Sequence, residues 1–159
     1  MGDSRDAPLA PALTCILAAA DKAAVSACLT TAMKDTTDKA RKSEALLQLN
    51  KLGKNLKTYF ITESAFPKGK AARLPEKACC AQPDHKCAVT TAWEKDRVWA
   101  ALDFSIDDAN LFQYTYESDG KTARATAVGD PSCSGKPLTY TLDVKVVNGN
   151  PQVTLIEPK

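Results

Sequence analysis

Six cysteines restrict the possible folds of this chain more than any other feature of its sequence. An even number of cysteines in 159 residues is typical of a protein that folds in an oxidising compartment. In such a compartment a disulfide stabilises a small domain by restricting its unfolded chain. A cytosolic protein with six thiols is the less common alternative. The cysteines are Cys15, Cys28, Cys79, Cys80, Cys87 and Cys133.

The last four cysteines predict two disulfides, one within a short loop and one from that loop to the strand region. Adjacent cysteines seldom bond to each other, because the peptide between them strains the ring. Cys79–Cys87 with Cys80–Cys133 is therefore one candidate, and the swapped pairing of the same four residues is the other. The sequence does not choose between them.

Cys15 and Cys28 form a separate case because they lie on a stretch that predicts helix. On one straight helix their Cα atoms are about 20 Å apart, whereas a disulfide needs them within about 7 Å. They bond only if the chain turns back near Asp21 and Lys22 to make a helical hairpin. The alternative is one long helix with two free or intermolecular thiols.

Three of the cysteines and the single histidine also form a possible zinc set. Cys79, Cys80, His85 and Cys87 offer three thiolates and one imidazole. Their spacing lacks the usual Cys-x2-Cys turn, and the set leaves Cys133 unpaired. Disulfides are therefore favoured over zinc, no cofactor is predicted, and His85 is predicted to lie exposed on the loop.

The sequence shows no catalytic constellation. It has neither a Gly-rich phosphate loop nor a nucleophile-elbow serine. Asp103, Asp107 and Asp108 flank a short turn and are predicted to cap a helix or to face water. The turn at Gly129–Gly135 holds only the carboxylate of Asp130, whereas calcium prefers several. We therefore predict that the protein is not an enzyme, and a net charge of +2 indicates no dedicated nucleic-acid site.

The strongest helix signal covers residues 35 to 63. Apolar residues recur there at spacings of three and four with polar residues on the opposite side, which predicts one buried stripe. Pro67 and Gly69 end the helix. The predicted buried residues are Ala45, Leu49, Leu52, Leu56 and Tyr59, and the predicted exposed residues are Asn50, Lys51, Lys54 and Thr58.

The chain before this helix differs in character. Residues 8 to 33 are rich in alanine and predict helix, with Asp21 as a candidate cap. No secretory signal is visible, and Leu13–Ala20 falls short of the ~20 apolar residues that span a bilayer. The cysteines favour an export signal that has been removed. We divide the chain into an atypical helical N-terminal segment, 1–33, native or fused, and a globular domain, 34–159.

The remainder predicts a long connection followed by strands. Residues 64 to 104 lack clear periodicity and are predicted to be pinned by their cysteines, with a short helix near Glu94–Leu102. Asp119-Gly120 and Asn148-Gly149 predict turns between alternating strands. The predicted strands are 111–116, 122–128, 138–146 and 152–156. The predicted core includes Val98, Trp99, Ala101, Leu102 and Tyr140, whereas Trp93 is predicted at the surface.

These elements predict an α+β fold in which one long N-terminal helix packs on a four-stranded antiparallel sheet with a disulfide-braced loop. Their order resembles type IV pilins and type II secretion pseudopilins. The resemblance covers roughly residues 34 to 159 and is most specific over residues 38 to 66. The segments that carry it are Ala32-Met33-Lys34-Asp35, residues 38–45 with Ser43-Glu44-Ala45, Leu49, Leu56, Tyr59-Phe60, Ala65-Phe66-Pro67, the loop with Cys79, Cys80 and Cys87, residues 99–105, and Ala127-Val128-Gly129-Asp130.

The resemblance implies a structural subunit of a bacterial extracellular filament, with other pilin-like subunits as partners and adhesion as a further role of its head. It also implies that the basic helix residues meet neighbouring subunits or a polyanionic ligand. A solvated helix face, interleaved with Glu44 and Asn50, is the favoured alternative for those residues. The basic residues are Lys39, Arg41, Lys42, Lys51, Lys54 and Lys57.

The chain departs from the family at its start. Residues 1–33 contain neither a prepilin cleavage motif nor the apolar half-helix that anchors these proteins in the membrane. Either that half was deleted, or the chain is a natural soluble relative or a fusion, and as written it is not expected to assemble a filament alone. The second function is a periplasmic or secreted binding module that recognises a partner through its disulfide loop.

Overall fold

The computed structural model describes the backbone of residues 22–159 and the side chains of residues 40–159. Helix α1 comprises Lys22–Glu63 and continues through residues 33 and 34, where the sequence suggested a boundary. The chain divides into two compact units, Met1–Lys42 and Ser43–Lys159. Cys15 and the side chain of Cys28 lie outside the described residues, so their hairpin disulfide stays a prediction.

The second unit contains one antiparallel sheet of five strands in the order in which they follow along the chain. The α+β class and the antiparallel arrangement are therefore confirmed, but the prediction of four strands was wrong. The strands are β1 (Gly69–Leu74), β2 (Gln113–Ser118), β3 (Ala123–Gly129), β4 (Leu138–Val147) and β5 (Asn150–Ile156).

The additional strand is β1, which pairs with β2 at one edge of the sheet. Its sequence, GKAARL, has no β-branched or aromatic residue, so it carries no strand signal. Side chains from elsewhere hold it in place. The indole Nε1 of Trp99 donates to the Ala72 carbonyl at 2.7 Å, and the Asp96 carboxylate accepts from the Ala72 N–H at 3.0 Å.

The predicted stripe of α1 covers the inner face of the sheet. Ala45, Leu49, Leu52 and Leu56 are fully buried and Tyr59 packs half-buried beside them, as predicted. The sheet contributes its alternate residues to the same core. These are Tyr114 and Tyr116 of β2, Ala123, Ala125 and Ala127 of β3, and Tyr140, Leu142 and Val144 of β4.

Two short helices, α2 (Ala92–Lys95) and α3 (Arg97–Ala101), replace the single predicted piece. Asp96 separates them and accepts from the N–H groups of Val98 and Trp99, at 2.9 and 3.0 Å, as the N-cap of α3. Trp93 is buried rather than at the surface, because its ring packs against the rings of Trp99, Phe104 and Tyr114. The prediction for Ala101 was also wrong: it lies exposed on the outer side of α3.

Candidate functional site

The four described cysteines form two disulfides in the first of the two predicted pairings. Cys79 bonds to Cys87 across a sequence separation of 8, with their Cα atoms 4.4 Å apart. Cys80 bonds to Cys133 across a separation of 53, with Cα atoms 5.7 Å apart. Of the two adjacent cysteines, Cys79 closes a short loop by bonding to Cys87. Cys80 ties that loop to the connection between β3 and β4 by bonding to Cys133.

Hydrogen bonds from Gln82 brace the short loop from within. Its Nε2 donates to the Lys77 carbonyl at 3.1 Å, and its Oε1 accepts from the Ala88 N–H at 3.2 Å. The exposed His85 places Nδ1 3.0 Å from the Cys80 carbonyl oxygen. All four sulfurs are bonded to one another in pairs, so none is a thiolate, and the described residues contain no group of three His, Cys, Asp or Glu suited to a metal.

The carboxylates singled out in the sequence have different surroundings. Asp130 closes the loop before β4 by accepting from the N–H groups of Ser134 at 3.0 Å and Gly135 at 2.6 Å. Asp103, Asp107 and Asp108 are exposed.

Glu44 is not on the solvated face where the sequence placed it. Its carboxylate accepts from the backbone N–H of Leu111 at 2.9 Å, 67 residues away. Burial raises the pKa of Glu44, while the Leu111 N–H and the charge of Lys86 act in the opposite direction. A contact of this sequence separation has no local signal, which is why sequence reasoning missed it.

Two further polar atoms are buried with no hydrogen-bond partner among the described residues: Gln48 Oε1, one helical turn from Glu44, and the hydroxyl of Tyr114. Burial, and after it the negative charge of Glu44, raises the pKa of Tyr114. Burial therefore disfavours the ionised form of Glu44 and of Tyr114.

The outer face of the sheet carries charges that pair across strands. Arg124 of β3 holds Asp143 of β4 with two hydrogen bonds of 2.7 and 3.2 Å. Lys70 of β1 lies 4.0 Å from Glu117 of β2. Within these two pairs the opposite charges compensate one another.

The basic residues of α1 are divided in their surroundings. Lys51 places its Nζ 3.5 Å from the Ser105 carbonyl oxygen and 5.8 Å from the ring centre of Phe104. Lys54 and Lys57 are exposed, and the side chain of Lys39 lies outside the described residues. Lys54 and Lys57 therefore lie on the exposed side of the described part of the helix.

No protein-family model, curated protein or solved structure matches this chain. Along the part of the chain that the structure describes, none of the helices has the length and apolar character needed to cross a membrane. The features of the chain that bear on its function are therefore its fold, its disulfides and the surfaces of the second unit.

Proposed function

We propose that this chain is a structural subunit of a type IV pilus or of a related pseudopilus, with residues 43–159 as the globular head. The observation that carries the proposal is the packing of Ala45, Leu49, Leu52 and Leu56 of α1 across an antiparallel sheet. In that family the head is built around the C-terminal half of a long helix. Here the helix is followed along the chain by β1, then by the cysteine loop, and then by the four strands β2 to β5.

The disulfides support a location in an oxidising compartment. Two bonds among the described cysteines are typical of proteins that fold outside the cytosol. A filament on the surface of a bacterium, or its periplasmic precursor, meets that condition. The head then provides packing surface for neighbouring subunits, with adhesion as a further role.

The proposal is tested on the filaments of the bacterium that carries the gene. Antibodies raised against residues 43–159 are applied to sheared surface filaments and viewed by immunogold electron microscopy. We expect gold along the filaments, and no label on filaments from a strain in which the gene is deleted. The deletion strain is the matched control, since it has the same envelope.

A second outcome would overturn the proposal. If the protein fractionates as a free periplasmic or secreted species and the filaments stay unlabelled, it is a binding module rather than a subunit. The exposed Asp84, His85 and Lys86 of the disulfide loop would then be the surface to examine first.

A further inference from the structure

A cleft of about 490 Å³ lies between the end of α1, the β2–β3 turn and the end of β4. Its apolar side is formed by Phe60 and Val146, which are both half-buried. Its polar side carries the exposed side chains of Lys121 and Lys145. We call this cleft, defined by these four residues, the lysine notch.

The strand register explains why the lysine notch exists. β3 begins at Ala123, which pairs with Val144, whereas β4 continues to Val147. Across the β4–β5 hairpin, Val147 and Asn150 flank a two-residue turn. Next to such a turn Val147 and Asn150 form a hydrogen-bonded pair, and the next pair, Val146 and Pro151, is a non-hydrogen-bonded one. The N–H and C=O of Val146 therefore point away from β5, toward the β3 side. No residue of β3 lies opposite them there.

The lysine notch carries two positive charges on its polar side. No acidic side chain is among the described residues that line it, and neither lysine forms an ion pair with a described residue. The carboxylates two residues from these lysines are engaged elsewhere. Asp119 accepts from the N–H groups of Lys121 at 2.9 Å and Thr122 at 2.8 Å in its own turn, and Asp143 pairs with Arg124. The notch therefore combines an apolar wall, two ammonium groups and a backbone N–H, which suits a carboxylate.

The same chain has a turn with two carboxylates, Asp107 and Asp108, which lies nearer the start of the described part of α1 than the lysine notch does. Asp107 and Asp108 are exposed and form no ion pair with a described residue. Their turn is flanked by Ser105, which contacts Lys51, and by Leu111, which bonds to Glu44. Phe60 lies nine residues beyond Lys51, about 13 Å along the helix axis, so the lysine notch and the turn lie at different levels of α1.

We propose that the lysine notch of one copy receives the Asp107–Asp108 turn of a second copy. The inference rests on the function proposed above and names the contact between heads. Because the two surfaces differ and lie at different heights, the contact is heterologous. A heterologous contact that does not close into a ring propagates as a filament, which is the geometry that a pilus requires.

The test follows self-association of the 159-residue chain by amide NMR spectra over a concentration series at low ionic strength, where charge pairing is least screened. Shifts are expected at Lys121, Lys145 and Val146 and, in the same spectra, at Asp107 and Asp108. The pair Lys121→Glu/Lys145→Glu and the pair Asp107→Lys/Asp108→Lys should each weaken association about tenfold, since two attractive pairs become repulsive.

Mixing the two double variants is the decisive step. Each notch then meets a turn of opposite charge, so association between the variants should return to the wild-type strength. The exposed pair Lys95→Glu/Lys136→Glu makes the same change in net charge away from the lysine notch and should leave association unchanged.

The inference is overturned if the wild-type chain shows no concentration-dependent shifts, if the reversals leave association unaltered, or if mixing fails to restore it. Labelling of filaments by the antibody is independent of these results. Labelled filaments together with a failed charge swap would reject the contact and keep the function. Unlabelled filaments would reject the function whatever the swap shows.

Discussion

Glu44 shows how one side chain connects distant parts of this head. Its carboxylate lies at the boundary of the core and accepts from the Leu111 N–H, just before β2 begins. A buried backbone N–H without an acceptor is unfavourable by about 1–3 kcal/mol, so the bond stabilises the entry into the sheet. The same burial disfavours the ionised form of the acid, so the two effects oppose each other.

The raised pKa of Glu44 predicts a pH dependence of stability. A carboxyl whose pKa is higher in the folded state holds its proton more tightly there. Its stabilising contribution is therefore full below the ordinary pKa of 4.5 and is lost as pH rises through the raised value. Glu44→Gln keeps an oxygen for the Leu111 N–H and does not titrate. We expect the free energy of unfolding of the variant, minus that of the wild type, to increase from acidic to neutral pH in urea titrations.

Other groups titrate in the same range, and the difference between the two proteins removes their effect. The pKa of Asp119 is lowered by the N–H groups of Thr122 and Lys121, which produces the opposite slope equally in both proteins. A difference for Glu44→Gln that is flat or falls with pH would contradict the account of this site.

At the scale of elements, two glycines test how closely the helix and the strands pack. A Cβ on Gly53 of α1 would lie 3.4 Å from Cγ1 of Val153 and 3.7 Å from Cδ1 of Leu142, which are ordinary contacts. A Cβ on Gly129 at the end of β3 would meet the Leu111 carbonyl oxygen, and Cδ1 of Phe112 at 2.7 Å. One site has room for a methyl group and the other does not.

The two substitutions to alanine should therefore have opposite signs. Gly53→Ala should stabilise by about 0.5–1 kcal/mol, because alanine loses less backbone entropy within a helix. Gly129→Ala should destabilise by about 1–3 kcal/mol, because backbone must shift to admit the methyl group. Urea denaturation of the two variants measures both, and each serves as the control for the other. Destabilisation by Gly53→Ala would show that α1 lies closer to β5 than described.

The sequence predicts those elements whose own residues supply the signal. The stripe from Ala45 to Leu56 and the alternation from Leu138 to Val146 each bury one face, so their periodicity is sufficient. β1 has no such pattern in its own sequence. Its backbone is held by Trp99 and Asp96, which lie more than twenty residues away along the chain. The contact of Glu44 with Leu111 and the burial of Trp93 depend in the same way on tertiary partners, which local periodicity does not encode.

At the scale of the whole molecule, the adjacent residues Cys79 and Cys80 form one local disulfide and one long-range disulfide. Cys79–Cys87 closes a local loop whose last residue is also fixed to Asn110 by a pair of backbone hydrogen bonds, of 2.7 and 3.0 Å. Cys80–Cys133 ties that loop to the connection before β4. By chain entropy the longer closure contributes about 4 kcal/mol and the shorter one about 2.5 kcal/mol. The bond that contributes more to stability also lies nearer the surface.

This difference in exposure predicts the order in which the disulfides are reduced. A thiolate must reach a sulfur atom to open a disulfide, and Cys133 is exposed whereas Cys79 and Cys87 are 5% and 0% exposed. Limiting dithiothreitol under native conditions should therefore open Cys80–Cys133 before Cys79–Cys87. Alkylation of the released thiols and peptide mass spectrometry identify them. In denaturant the preference should disappear, since both disulfides are then accessible, whereas early labelling of Cys79 and Cys87 in the folded protein would show that their loop opens before the bond to Cys133 is reached.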